Sequence, residues 1–381
     1  MDFSLTQQQI ERQGRIREWA ERALNVDIVV RDRERAFNRE GWRAAALLGL
    51  PGLVAPSAYG GAGLDPVSVV SALEALGRGS HDNGFSFALN AHLWGCVHPL
   101  TAFGSDEQKG AYLPRLASGD WIGALAATER AAGSDIFSLR TRAERRGDEY
   151  VLTGEKALIT NAPVADVFVV LASIDPARGA FGLTAFLVER GAPGLRVSQR
   201  VDKMGLSTAQ MGEIALDGCV VPARNRLGAE GSGLALFNQT MEWERGFIMA
   251  FAVGAMERTL EACLVYARRR RQFDRPIGEF QAVANRLVDM RLRWETVRLL
   301  LYRFAWLKQE GRPALAEASM AKLAVSEAWV RSCEDAMRIH GGYGYLTETG
   351  IERELRDALA SLSYSGTGEI QRQVVARWME T

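Results

Sequence analysis

The spacing of apolar and polar residues changes character twice along the chain. Up to about residue 118, apolar positions recur at intervals of three and four, as in 42–48 and 67–76, and predict helices. Turn clusters such as Tyr59-Gly60-Gly61-Ala62-Gly63 punctuate them. From about 120 to 230, short runs rich in Val, Ile, Leu and Thr take over, at 122–127, 150–153, 167–171, 183–188 and 214–216. Charged or Gly-rich turns such as Arg145-Arg146-Gly147-Asp148 separate them, which predicts an antiparallel β domain. After Gly231-Ser232-Gly233 the helical period returns, with long segments at 233–270, 278–310 and 313–339. Helices of that length exceed the globular norm and predict a four-helix bundle whose outer faces are shared between copies. The expected order is an N-terminal α-helical domain (1–118), a middle antiparallel β domain (119–231) and a C-terminal helical bundle (232–381), assembled as a homodimer or homotetramer.

Composition narrows the class without naming a chemistry. At 381 residues the chain suits two or three packed domains, and 47% hydrophobic with 24% charged residues is ordinary for a globular protein. Lys plus Arg and Asp plus Glu both number 46, so no global field draws the chain to nucleic acid or an anionic membrane. The cysteines Cys96, Cys219, Cys263 and Cys333 are widely spaced, against a zinc site or disulfide framework and in keeping with a reducing compartment. The first residues are polar and amphipathic, unlike a signal peptide, and no apolar run approaches the roughly 20 residues of a membrane helix. A cytoplasmic protein with no metal is expected.

Three stretches carry candidate chemistry. Thr128-Glu129-Arg130-Ala131-Ala132-Gly133-Ser134-Asp135 follows a predicted strand and offers hydroxyls and backbone N–H groups to a flat heterocycle or a pyrophosphate. Taken locally, it equally suits a helix cap or turn. Arg270-Arg271-Gln272-Phe273-Asp274-Arg275-Pro276-Ile277 lies between two long helices; a basic helix end explains its charge but not its Phe and Pro-Ile. Ile339-His340-Gly341-Gly342-Tyr343-Gly344 is a weak glycine signal in which His340 reads as a structural histidine. Neither glycine cluster is a Rossmann fingerprint.

Taken in order from about residue 45 to 378, these stretches resemble the acyl-CoA dehydrogenase family. TE-x-x-A-GSD resembles its first signature, R-Q-F-D-R-P-I its R-x-Q-F-G-x-P-I, and R-x-x-G-G-Y-G its Q-x-x-GG-x-G, with Tyr364-Ser365-Gly366-Thr367-Gly368-Glu369 completing the set. The resemblance implies FAD. Its flavin would lie against Leu125, Ala127, Thr128, Gly133, Ser134, Leu158 and Thr160, with Ser365, Thr367 and Glu369 also on the cofactor. Arg270 and Phe273 would reach the FAD of a neighbouring copy, Arg338, Gly341 and Gly342 would let backbone approach the ADP half of FAD, and Gln281 would also bind the cofactor. Two departures stand out there: Asp274 replaces the usual Gly, and Arg338 the usual Gln.

The third departure matters most. Desaturating a thioester removes a proton from Cα and a hydride from Cβ, so a carboxylate must reach the Cα proton. Many family members place that carboxylate before Gly-Thr, where this chain has Ser365, a weak base without an activating partner. Glu244 falls in the helical stripe of Phe237, Met241, Ile248, Ala252 and Ala255. A helical Glu is ordinarily solvated or ion-paired, but an apolar stripe is an unusual place for one. Met241-Glu242-Trp243-Glu244-Arg245 also resembles the segment that carries the base in isovaleryl- and long-chain acyl-CoA dehydrogenases. Glu244 is therefore the expected catalytic base, with Arg245 and Tyr364 in the substrate site.

M-x-W-E-R combined with Y-S-G-T is similar to family members that oxidise hydroxymalonyl or prolyl groups on carrier proteins in natural-product pathways. A carrier-tethered acyl thioester is the expected substrate. The alternatives are a free CoA ester, a flavin oxidase or monooxygenase reaction on the same fold, or a non-catalytic binder. The family's aromatic residue beside the flavin is Leu158 here, which leaves an electron-transfer flavoprotein or oxygen as the acceptor.

Overall fold

The computed structural model describes residues 4–379, so the outermost ends of the first and last expected domains lie outside the described residues. Seven helices come first: α1 (Gln7–Ala23), α2 (Ile28–Glu34), α3 (Arg39–Leu47), α4 (Pro66–Gly79), α5 (Asn83–His92), α6 (His98–Phe103) and α7 (Asp106–Ala117). Their starts follow capping chemistry. Thr6 and Ser105 each form a capping box, and Asp65 and Asp82 accept from backbone N–H groups of the first turn.

An eight-stranded sheet follows: β1 (Gly123–Ala126), β2 (Arg142–Arg146), β3 (Glu149–Thr160), β4 (Val167–Ser173), β5 (Leu183–Glu189), β6 (Leu195–Val197), β7 (Met211–Pro222) and β8 (Arg226–Leu227). Its order is β6-β7-β3-β2-β4-β5-β8, with β1 paired to β4. Most pairings are antiparallel, as the alternation predicts. The β1–β4 and β2–β4 pairings are parallel, which makes the sheet mixed. β2 occupies a stretch that reads as a charged turn, because only Ala143 of Arg142–Arg146 is buried.

The chain closes with α8 (Gly233–Phe247), α9 (Ala250–Arg269), a two-residue hairpin of β9 (Arg271–Gln272) and β10 (Arg275–Pro276), then α10 (Gln281–Gln309), α11 (Leu315–His340), α12 (Ile351–Ala360) and α13 (Gly368–Met379). The expected single segment 233–270 is thus two helices, broken at 248–249. α9, α10 and α11 pack together, with α8 against α11 and α13 along α11. This is the helical, β, helical order expected from the sequence.

The first and last helical parts are joined through α4 and α9 at very close range. A Cβ on Gly77 would lie 1.8 Å from the Phe251 carbonyl oxygen, and one on Gly254 would lie 2.0 Å from that of Glu74. Only glycine allows this approach from either side. Among the described residues, no helix is long and apolar enough to cross a membrane.

The joint makes a direct prediction. Gly77→Ala should lower stability by about 1–3 kcal/mol through overpacking, read as a drop in thermal midpoint. Gly110→Ala on the exposed face of α7, where nothing lies within 4 Å of the added Cβ, should leave the midpoint unchanged or raise it. Equal midpoints for Gly77→Ala and the parent would refute the close joint.

Candidate active site

A cleft of about 640 Å³ opens between the sheet and the C-terminal helices. Strand β1 brings Leu125 to its wall, and the loop that follows adds Ala127, Thr128, Gly133 and Ser134. That loop is a tight turn in which the Glu129 N–H donates to the Ala132 carbonyl at 2.9 Å and the reverse bond is 3.1 Å. Beneath it lies a buried charge pair: Lys156 Nζ donates to Glu129 Oε1 at 2.9 Å and to the Ala127 carbonyl at 3.1 Å. Glu129 also accepts from the Thr141 hydroxyl at 2.6 Å and from the Arg140 N–H at 2.6 Å. Burial alone would raise the Glu129 pKa, but these bonds outweigh it and hold it down to about 2.

Strand β3 supplies Ala157, Leu158 and Thr160 to the same wall. Its register against β7 shifts between Lys156 and Ile159, a bulge that re-aims one side chain. Leu158 sits in the bulge with φ 55° and is 59% exposed.

The helical wall carries the ionisable groups. Glu244 and Arg245 reach the cleft from α8, beside Phe237, Met241 and Ile248 of the apolar stripe. Tyr364, Ser365, Gly366 and Thr367 reach it from the connection between α12 and α13. Ser365 takes a left-handed backbone (φ 55°), and its hydroxyl donates to Glu244 Oε1 at 2.5 Å. Residues 121 positions apart, the expected base and the serine at the alternative base position, therefore meet. Burial pushes the Glu244 carboxyl above its ordinary pKa, opposed by the Ser365 bond and the charges of Arg245 and Lys322. Arg245 Nε donates to the Ser365 carbonyl at 3.3 Å. The Tyr364 ring packs against Phe87 with centroids 4.5 Å apart, and its hydroxyl meets the Met249 sulfur at 3.1 Å.

Twelve of the sequence-selected residues thus share one cleft: Leu125, Ala127, Thr128, Gly133, Ser134, Leu158, Thr160, Glu244, Arg245, Tyr364, Ser365 and Thr367. Glu369 and Arg338 instead border a second groove of about 850 Å³ along α11 and α13, which Thr367 also touches. Arg338 there stands near Glu334 and Asp335 at 3.7 and 3.6 Å. Arg270, Phe273, Gln281, Gly341 and Gly342 line neither groove. They are exposed, Phe273 by 88%, where the end of α9 meets the end of α11 through an Arg270–Tyr343 cation–π contact of 5.6 Å. Phe273 and Asp274 both take left-handed backbone, φ 51° and 62°, which Asp tolerates better than most residues in place of Gly. His340 bonds the Ala336 carbonyl at 2.8 Å and stacks on Tyr266, a structural role as expected.

The cleft also holds residues that no motif marks. Phe87 comes from α5, Lys203, Met204 and Gly205 from the loop before β7, and Arg356 from α12. Lys203-Met204-Gly205 preceding a strand is the one local signal that could have pointed there.

A three-part chain with a half-buried carboxylate in a cleft between β sheet and helical bundle defines a known class. Residues 6–120, 124–219 and 231–380 match, in turn, the N-terminal, middle and C-terminal domains of acyl-CoA dehydrogenase. The chain belongs to the acyl-CoA dehydrogenase family. Among its relatives is an L-prolyl-[peptidyl-carrier protein] dehydrogenase of Serratia sp., 41% identical over 99% of this chain and 98% of the relative. A protein of the same description from Pseudomonas fluorescens is 44% identical over 91% of each. Among solved structures, the prolyl acyl carrier protein oxidase AnaB superposes with a TM-score of 0.98 at 51% identity, covering 99% of this chain and 100% of AnaB. PigA with FAD and proline superposes with a TM-score of 0.97 at 40% identity, covering 100% of this chain and 99% of PigA.

Removing the cation under the turn should expose its dependence on the charge pair. Lys156→Met leaves Glu129 buried without its counter-ion, and breaking a buried pair costs about 3–5 kcal/mol. The urea-unfolding midpoint should fall accordingly. A midpoint equal to that of the parent would mean the pair does not hold the turn.

Proposed function

We propose that this protein is an FAD-dependent dehydrogenase that oxidises a prolyl thioester on a peptidyl carrier protein, with Glu244 as the base. The observation that carries the chemistry is the Glu244 carboxylate inside an apolar cleft, 2.5 Å from Ser365 Oγ. The carrier-tethered prolyl group follows from the likeness to prolyl-carrier-protein dehydrogenases over nearly the full chain.

The residues present fit FAD. Leu125, Ala127, Ala157 and the outward-turned Leu158 make an apolar surface, rimmed by the hydroxyls of Thr128, Ser134 and Thr160. That is the pairing an isoalloxazine with one apolar and one polar edge needs. When bound, FAD supplies the acceptor for the hydride leaving the substrate β-carbon. The chain's own part is to bind, orient and take the proton. Glu244, ionised, accepts the α-proton of the thioester; its raised pKa makes it a stronger base than a solvated carboxylate. Ser365 holds the carboxylate orientation, and Phe87 with Tyr364 closes one side of the cleft.

The remaining cofactor contacts belong to assembly. Arg270, Phe273, Gln281, Arg338, Gly341 and Gly342 cluster away from their own cleft, which suits contact with the FAD of a second copy. Val288, Leu292, Leu299 and Trp306 form an exposed apolar stripe along α10, a surface suited to a homodimer or homotetramer.

Anaerobic mixing with prolyl, acyl-carrier and acyl-CoA thioesters tests the substrate reading: the prolyl carrier should bleach the flavin fastest. Bleaching by CoA esters alone would reject it. Glu244→Gln keeps size and removes the basic oxygen. Flavin reduction should fall by about 10²–10⁴-fold with FAD still bound, and Ser365→Glu in that background should restore part of it. A near-parental rate for Glu244→Gln would place the base elsewhere. Because folded Glu244 has a raised pKa, the parental rate should climb with pH above the ordinary carboxylate range.

Leu158 also bears on reoxidation. Leu158→Trp should speed transfer to an electron-transfer flavoprotein relative to oxygen, measured in parallel assays. An unchanged ratio would leave Leu158 as packing only.

A further inference from the structure

Lys322 on α11 is fully buried, and among the described residues its ammonium donates to two backbone carbonyls rather than to a carboxylate. Its Nζ donates to the Ser361 carbonyl at 2.9 Å and to the Gly366 carbonyl at 2.7 Å. Those carbonyls bracket the connection that carries Tyr364 and Ser365 into the cleft. Ser326, one turn along α11, donates to Ser361 as well, at 3.1 Å. From α13, Gln371 Nε2 donates to the carbonyls of Ser365 and Gly366 at 3.1 and 3.0 Å. The connection needs such anchors, because Ser365 and Gly366 are both left-handed, at φ 55° and 92°. A buried ammonium held by backbone alone is a costly arrangement unless its charge or its bonds are used.

The groups facing Lys322 show where that charge is felt. α8 presents Glu244 and Arg245, α13 presents Glu369, and the connection presents the Tyr364 ring, 5.8 Å from Nζ. Glu327 and Arg372, which border the same groove, pair with each other at 2.5 Å. The Lys322 charge favours ionised Glu244.

We propose that Lys322 is a positioning residue for proton abstraction: its ammonium fixes the connection at 361–366 through two carbonyls and, with Arg245, keeps Glu244 ionised at Ser365. This rests on Glu244 being the base. Burial, then the Arg245 charge, depresses the Lys322 pKa to about 8, with Glu369 and Glu244 opposing. A depressed ammonium is charged below that value and neutral above it. The connection is therefore held at neutral pH and loosens as pH rises through about 8.

The test uses the FAD-loaded protein and two readouts. In the first, the rate of anaerobic flavin reduction by the prolyl carrier thioester is followed against pH. The parent should show a falling limb near pH 8. Lys322→Met should reduce the rate by roughly 10- to 100-fold, the scale of a misplaced catalytic group, and shift the rising limb to higher pH. Lys322→Arg should recover most of that loss and abolish the falling limb, since guanidinium stays charged. In the second readout, difference infrared spectroscopy titrates the Glu244 carboxyl without substrate, assigned by its loss in Glu244→Gln. Its midpoint should rise in Lys322→Met. An unmoved Glu244 midpoint, or a falling limb unchanged in Lys322→Arg, overturns the proposal, and the Arg variant decides alone if the Met variant does not fold. A near-parental rate for Glu244→Gln instead defeats the base assignment, while the infrared titration still judges Lys322.

Discussion

Holding an ionisable carboxylate inside an apolar cleft is the constraint around which the C-terminal part of this protein is arranged. Desolvation favours the neutral acid, and a neutral Glu244 is no base. The opposing terms are local: one hydrogen bond from Ser365 and the charges of Arg245 and Lys322. Each requires further structure. For the Ser365 hydroxyl to reach Glu244, two successive residues adopt left-handed backbone, and Gln371, Arg245 and Lys322 bind the carbonyls that this geometry leaves turned inward. α8 itself is seated by Gly246, where a Cβ would lie 1.9 Å from the Phe304 ring on α10.

The facing β wall solves a different problem. Its working surface is a turn and a bulge, both weak elements if left to themselves. The Glu129–Lys156 pair ties the turn after β1 to β3, and the Ala157 N–H donates to the Thr128 carbonyl at 2.9 Å. Thus the bulge that presents Leu158 and the turn that presents Thr128 are held as one piece. The proposed reaction at two adjacent carbons would demand that this piece keep its place relative to α8, and the glycine-lined α4–α9 crossing ties the first helical part, against which the sheet packs, to the last.

Much of this was legible in the sequence, for identifiable reasons. Alternation and helical period marked most strands and the long helices, because each buries one face. β2 escaped because its charged residues face solvent, so the strand reads as a turn. The break at 248–249 escaped because Phe-Ile-Met is apolar and continues the stripe. In the site, the motif residues were visible because turns and bulges need particular side chains. Phe87 and Arg356 were not, since they arrive from separate helices and each looks locally like ordinary core or surface, while Lys203 and Met204 left only the short run before β7 as a signal. Nor does a motif say which cleft it serves: Arg270 and Phe273 share a signature with the cofactor site yet stand apart from it in the single chain.

Under the proposed assignment of Glu244 as the base, its meeting with Ser365 also explains why a carboxylate occupies one of the two positions and not both. A carboxylate at 365 would sit where a hydroxyl now approaches Glu244 at 2.5 Å. Two carboxylates at that range cannot both ionise, and one would be driven to hold a proton at neutral pH. Serine avoids the conflict and turns the vacated position into a donor for the carboxylate that remains. It is also smaller, which leaves volume for substrate beside Tyr364. Moving the base between the two sites therefore asks for little change elsewhere: the helix, the connection and the buried lysine can stay in place while the oxygen that takes the proton arrives from the other side chain.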